Sequence, residues 1–130
     1  MALRTNLRLT EADGFIVGDS FALTVSVVAM PEGLTLTKAW WTIKAAATDP
    51  DPGDLQLVID ATEQATGQIT NDGSEGTGAL TFTATPVDTA ALVADQAYVF
   101  DLQIQYSDDS IHTLGKGAVT PGQGVTEATS

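Results

Sequence analysis

Many short segments of the chain alternate apolar and polar residues with a period of two. The clearest spans residues 98–106, where every second residue is aromatic or aliphatic. Because successive side chains of a β-strand point to opposite faces of the sheet, this spacing predicts a strand with one buried face. The same pattern predicts further strands over residues 3–9, 21–27, 38–47, 55–60, 67–70, 80–84 and 111–119.

Seven to eight short strands, separated by glycine, proline and aspartate turns and without a long amphipathic helix, predict an all-β domain. We expect an immunoglobulin-like antiparallel β-sandwich of two sheets, with a small barrel as the alternative. The sandwich is expected to span residues 1–119. Residues 120–130, rich in Gly, Thr and Ser, are expected to form a flexible or partner-ordered C-terminal tail.

Residues 86–92 break the alternation. Pro86 suits the first turn of a helix, because the N–H that proline lacks has no intrahelical partner at that position. We expect one short helical turn near 86–92 that crosses between the sheets, with Asp88 capping it and Leu92 closing the end of the sandwich.

The charge balance restricts the class of partner. Five Lys plus Arg against 17 Asp plus Glu give a net charge of -12, which repels phosphate backbones and anionic lipid, so no nucleic acid partner is expected. No apolar run approaches the roughly 20 residues of a membrane helix, so no membrane insertion is expected. The charge favours solubility, and attraction to a basic partner or to cations is the other interpretation.

Two adjacent tryptophans must point to opposite sides of their predicted strand. Trp41 shares its parity with Ile43 and is predicted to be in the core. Trp40 is therefore a candidate for a surface, groove or subunit contact, and the alternative is that it covers a sheet edge.

The sequence contains no recognisable catalytic set. His112 is the only histidine and the chain has no cysteine, so neither a triad nor a transition-metal site can be assembled around it. Glu63, Glu75 and Glu127 lie among turn or tail residues, without the apolar cleft that a general acid requires. We expect no enzyme and no cofactor.

Asp49, Asp51 and Asp54 place three carboxylates in one loop, which is a calcium candidate of low specificity. The loop runs directly into a strand and lacks the terminal acidic ligand and flanking helices of an EF-hand. Alternatively, aspartate and proline simply stiffen a solvated turn. Together with Trp40, the three aspartates suggest a carbohydrate-binding module for host-surface glycan as an alternative function.

Three segments in a fixed order carry a resemblance to a known family. They are a glycine-led strand, Gly76–Phe82; a Pro-x-Asp-Thr-Ala-x-Leu turn within Thr85–Leu92; and a Tyr-x-Phe-Asp-Leu-Gln strand, Tyr98–Ile104. In this order they resemble the N-terminal immunoglobulin-like module of phage upper baseplate and tail accessory proteins. The ending His112–Val119 is similar to the family's Thr-Leu, glycine and Val-Thr ending, and the segments Gly18–Phe21 and Lys38–Lys44 agree more loosely.

The resemblance implies a non-enzymatic virion structural protein, assembled in the host cytoplasm. It implies a tail or baseplate accessory subunit on a symmetric scaffold, with other virion proteins and copies of itself as partners; a capsid decoration (cement) protein of the phage head is the alternative. Gly124 departs from the acidic residue that the family usually has before Val125-Thr126. The family also continues into a larger receptor-facing region, so the ending of this chain implies a stand-alone subunit.

Exposed strand edges and termini supply further interface candidates, because unpaired backbone groups can add strands from a neighbour. The candidates are Arg4 and Arg8 on the N-terminal strand, Trp40, and Thr120 and Val125 in the tail.

Overall fold

The computed structural model describes residues 6–9, 15–27, 30–46, 48–49, 53–60, 62, 66–74 and 76–123. In chain order the elements are β1 (Asn6–Leu9), β2 (Ile16–Val17), β3 (Phe21–Val27), β4 (Leu36–Lys44), β5 (Leu55–Asp60), β6 (Gly67–Asp72), β7 (Gly78–Ala84), α1 (Pro86–Ala90), β8 (Tyr98–Tyr106), β9 (Ile111–Val119) and β10 (Gly122–Gln123). The eight longer strands confirm the predicted number. The two-residue strands β2 and β10 are too short to show a period.

The long strands form two sheets. One has the order β1-β9-β8-β4-β5 and the other β3-β7-β6, while β10 pairs with β2. In an immunoglobulin domain, strands G, F, C and C′ share one sheet and strands B, E and D the other. The orders β9-β8-β4-β5 and β3-β7-β6 reproduce that arrangement, which confirms the predicted all-β, immunoglobulin-like sandwich. Most pairs are antiparallel, but β1 runs parallel to β9 and β10 parallel to β2.

Trp41 lies in the middle of the core between the sheets. It is 0% exposed, and its ring lies 5.9–6.2 Å from four phenylalanine rings, those of Phe15, Phe21, Phe82 and Phe100. The predicted inward orientation is confirmed. Immunoglobulin domains place a tryptophan of strand C against a disulfide, and here Phe100 occupies the strand-F cysteine position in a chain without cysteine.

The inward face of β8 completes this core. Its alternate residues Tyr98, Phe100, Leu102, Ile104 and Tyr106 are all buried, as predicted. Burial raises the pKa of the Tyr106 hydroxyl above its usual value, because the phenolate loses its solvation there.

Helix α1 confirms the predicted helical turn, but with a different capping residue. Thr85 is the N-cap: its hydroxyl accepts the N–H of Asp88 at 3.2 Å, and the Asp88 carboxylate accepts the N–H of Thr85 at 2.8 Å. Asp88 therefore completes a capping box instead of capping alone. Pro86 begins the helix, and Leu92 is buried just after it, as predicted.

Two hydrogen-bond sets fix the crossover between β7 and β8. The Tyr98 hydroxyl accepts the backbone N–H of Val93 at 2.8 Å, which is the tyrosine corner of immunoglobulin-like domains. The fully buried Thr89 hydroxyl accepts the N–H of Gly18 at 3.0 Å and donates to the carbonyl of Asp19 at 2.7 Å. Helix α1 is thereby attached to the turn between β2 and β3.

The sandwich continues past the boundary predicted at residue 119. Pro121 is buried, its carbonyl accepts the N–H of Asp95 at 2.7 Å, and the N–H of Gly122 donates to the carbonyl of Phe15 at 2.9 Å. Residues 120–123 therefore belong to the packed domain. The rest of the predicted tail lies outside the described residues.

Candidate functional site

The outer face of the five-stranded sheet is the surface on which the sequence-predicted Trp40 lies. We call it the Trp40 face and define it by the residues that pair across its central strands. Across β5, β4, β8 and β9 its rows are Asp60–Lys38–Gln105–Ile111, Val58–Trp40–Gln103–Thr113 and Gln56–Thr42–Asp101–Lys116, and a last row across β4, β8 and β9 is Lys44–Val99–Ala118.

Trp40 occupies an interior position on this face. It is half-buried, with Val58 and Gln103 beside it on the two neighbouring strands. The Nζ of Lys38 lies 5.3 Å from the centroid of its ring, which is within the range of a cation–π interaction. Because β4 lies between β8 and β5, the alternative that Trp40 covers a sheet edge is wrong.

Apart from Lys38, the residues next to Trp40 on this face are uncharged. Thr42, the next outward residue of β4, accepts a hydrogen bond from the Gln56 side-chain amide at 3.0 Å. Val99 and Ile111 are the most exposed apolar side chains here, at 37% and 54%. An aromatic centre inside a polar rim is the usual composition of protein interfaces.

The charge of the Trp40 face differs from that of the whole chain. All three lysines of the chain, Lys38, Lys44 and Lys116, lie on it, against two carboxylates, Asp60 and Asp101. The other described carboxylates lie elsewhere, mostly in turns: Asp19, Glu32, Asp49, Asp54, Asp72, Asp88, Asp95, Asp108 and Asp109. This segregation was not predicted from the sequence, although Lys38, Trp40 and Lys44 share one parity within a strand.

The described part of the aspartate loop serves the backbone. Asp49 accepts the N–H of Ala46 at 3.0 Å, and Asp54 accepts the N–H of Ala45 at 2.9 Å. Asp51 lies outside the described residues, and among those that are described no group of three metal-ligating side chains occurs. The interpretation of the loop as a stiffened turn accounts for the contacts of both described aspartates.

The structure does not bring Trp40 together with the aspartate loop. Lys44, after which the loop begins, is four residue steps along the extended strand from Trp40, so their Cα atoms are about 13 Å apart. One sugar ring therefore cannot contact both, and the carbohydrate-binding alternative stays a prediction for a glycan of several sugars.

One cluster has the residue types of a catalytic triad without its geometry. At the turn between β8 and β9, the Ser110 hydroxyl donates to Asp108 and lies 3.1 Å from Nε2 of His112. A serine nucleophile must donate its proton to an unprotonated histidine nitrogen, whereas this proton points to the carboxylate. The hydroxyl and the N–H of Ser110 lower the pKa of Asp108, as expected of a turn in which a carboxylate accepts both.

The remaining interface candidates are placed only in part. Arg4 and Val125 lie outside the described residues, and of Arg8 only the backbone is described, paired with Ala118. Thr120 is half-buried between the fully buried Val119 and Pro121.

Fold and surface together define an immunoglobulin-like sandwich with a candidate protein-binding face. No helix in the described ranges is long and apolar enough to cross a membrane. No protein-family model matches the chain, and no curated protein matches it either.

Proposed function

We propose that this chain is a non-enzymatic structural subunit of a phage virion, attached as an accessory protein to the tail or baseplate. The main support is that the three segments carrying the resemblance lie on three consecutive elements that cross from one sheet to the other: strand β7, the capped helix α1 and strand β8. Agreement over a crossover that has its own capping box and tyrosine corner favours a family relationship over a chance likeness of residues.

The Trp40 face supports a role in binding other proteins. A subunit of a particle acts through surfaces that hold it in place, and this face offers an anchoring indole, flanking amide side chains and peripheral charges. The Ser110 cluster, the closest approach to a catalytic set among the described residues, has the wrong proton arrangement. The fold therefore contributes a shape and a surface to the proposed function.

Quantitative mass spectrometry of purified phage particles tests the proposal. We expect the chain at a fixed ratio to a component of known symmetry, since virion subunits occupy repeated positions. Its absence from particles that contain all other structural proteins would sink the proposal.

The same measurement distinguishes the two proposed locations on the particle, the tail or baseplate and the capsid. About a dozen copies indicate the tail or baseplate, whereas hundreds of copies indicate a capsid decoration protein, because the head repeats its subunits far more often. Cross-linking to the neighbouring protein in intact particles then identifies the scaffold.

A further inference from the structure

The Trp40 face differs from the rest of the acidic chain in carrying more lysines than carboxylates, which bears on how two copies meet. Two molecules that each carry a net charge of -12 repel one another over the range set by the Debye length, about 10 Å at 0.1 M salt. Lysines outnumber carboxylates on this face, so an acidic surface is attracted there.

The same chain carries a matching acidic surface at one end of the sandwich. The loop before β4 contacts both neighbouring turns, because the N–H of Ser107 donates to Thr35 at 2.9 Å and the N–H of Met30 donates to Gly76 at 3.1 Å. These loops and the adjoining end of β6 contain no lysine or arginine. They carry four exposed carboxylates: Glu32, Asp72, Asp108 and Asp109. We call this group the acidic end.

We propose that the Trp40 face binds the acidic end of a second copy of this chain. The contact joins two different surfaces, so repetition of it builds a ring or a filament and not an isolated dimer. The inference deepens the proposed function, since a symmetric scaffold presents copies side by side. It is tested on the purified chain alone, so each can fail without the other.

The size of the face sets the expected strength. Three rows across four strands and one across three cover about 20 Å by 14 Å between outermost Cα positions, or about 500 Å² with the side chains. The two partners together then bury about 1,000 Å², the low end of specific interfaces. The association is therefore weak in solution, micromolar or weaker, and becomes effective where a scaffold holds copies together.

Sedimentation velocity of the full chain over a range of concentrations measures this contact. We expect species larger than the monomer at low salt, with a dissociation constant about tenfold or more higher at 0.5 M salt, where the Debye length is only a few Å. A face variant, Lys38→Glu with Lys116→Glu, and an end variant, Glu32→Lys with Asp72→Lys, should each be monomeric. An equimolar mixture of the two should associate again as a one-to-one pair, because the end variant keeps the Trp40 face and the face variant keeps the acidic end.

Controls separate the contact from net charge and from misfolding. The double variant Lys38→Gln with Lys116→Gln should weaken association. The double variant Ala22→Glu with Ser26→Glu lowers the net charge of the chain by the same amount, but its changes lie on the exposed side of β3, so association should persist. Circular dichroism and thermal unfolding verify the fold of each variant.

Three results would overturn the inference. The first is a wild-type chain that stays monomeric at every protein and salt concentration, which would show that the Trp40 face does not bind a second copy. The second is an end variant that still associates, which would indicate that the two Trp40 faces meet each other. The third is equal weakening by the Ala22→Glu and Ser26→Glu control, which would reduce the effect to net charge.

Discussion

Replacing Tyr98 with phenylalanine tests the hydrogen bond that closes the crossover between β7 and β8. The change keeps the buried ring and removes only the hydroxyl that accepts the N–H of Val93 at 2.8 Å. Leaving a backbone donor unpaired costs about 1–3 kcal/mol. Val93 is 58% exposed, so water can partly replace the hydroxyl, and we expect the lower half of that range, about 1–2 kcal/mol.

For a domain of this size, such a loss lowers Tm by roughly 3–8 °C. Urea unfolding followed by circular dichroism measures the free energy, and differential scanning calorimetry measures Tm. Tyr106→Phe is the matched control: Tyr106 is a second buried tyrosine of β8, and no hydroxyl hydrogen bond is found for it in the described part of the chain. Equal losses for Tyr98→Phe and Tyr106→Phe would show that the tyrosine corner contributes nothing specific.

Three further substitutions probe the buried polar link, the acidic turn and the two tryptophans. Thr89→Val should cost about 2–4 kcal/mol in urea unfolding, because it orphans a backbone donor and an acceptor, whereas Thr89→Ser should cost clearly less. Ser110→Ala should raise the pKa of Asp108 towards its usual value in an NMR titration. A lowered carboxyl pKa stabilises the fold above about pH 4, and this stabilisation is lost as the pH falls below that value. The variant lacks this contribution, so it should lose less stability than the wild type on acidification. Trp40→Phe should leave a blue-shifted emission from the fully buried Trp41, and Trp41→Phe a red-shifted one from Trp40, with only the second losing several kcal/mol of stability.

The side chains on each face of a strand could be predicted from the sequence, but the strand that each one pairs with could not. An alternation with a period of two shows which side chains share one face of a strand. It correctly predicted that Trp41 and the alternate residues of β8 point into the core. Pairing depends on contacts between segments far apart in sequence, so neither the parallel pairing of β1 with β9 nor that of β10 with β2 could be read from alternation. For the same reason, the end of the packed domain was placed before Pro121, although Gly122 beside it donates its N–H to the carbonyl of Phe15, far earlier in the sequence.

The candidate site was visible only in fragments. Lys38, Trp40 and Lys44 lie on one face of one strand by parity alone. Lys116 joins them only through the register of β9 on β8, which shifts between Leu102 and Gln103, and a register shift cannot be derived from a repeating pattern. The sequence therefore singled out Trp40 without the charges that surround it.

The two parallel pairings also determine when the domain can fold. Asn6 pairs with Lys116 and Ile16 with Gly122. Strands β1 and β2 therefore cannot pair until residues more than a hundred positions later have been synthesised. Closing such long loops before any contact is made is slow, and β-sandwiches of this kind fold in milliseconds to seconds. During synthesis the five-stranded sheet cannot be completed until residue 119 has left the ribosome. Until then β9 is missing, and the edge of β8 that pairs with β9 in the finished sheet exposes unpaired backbone N–H and C=O groups.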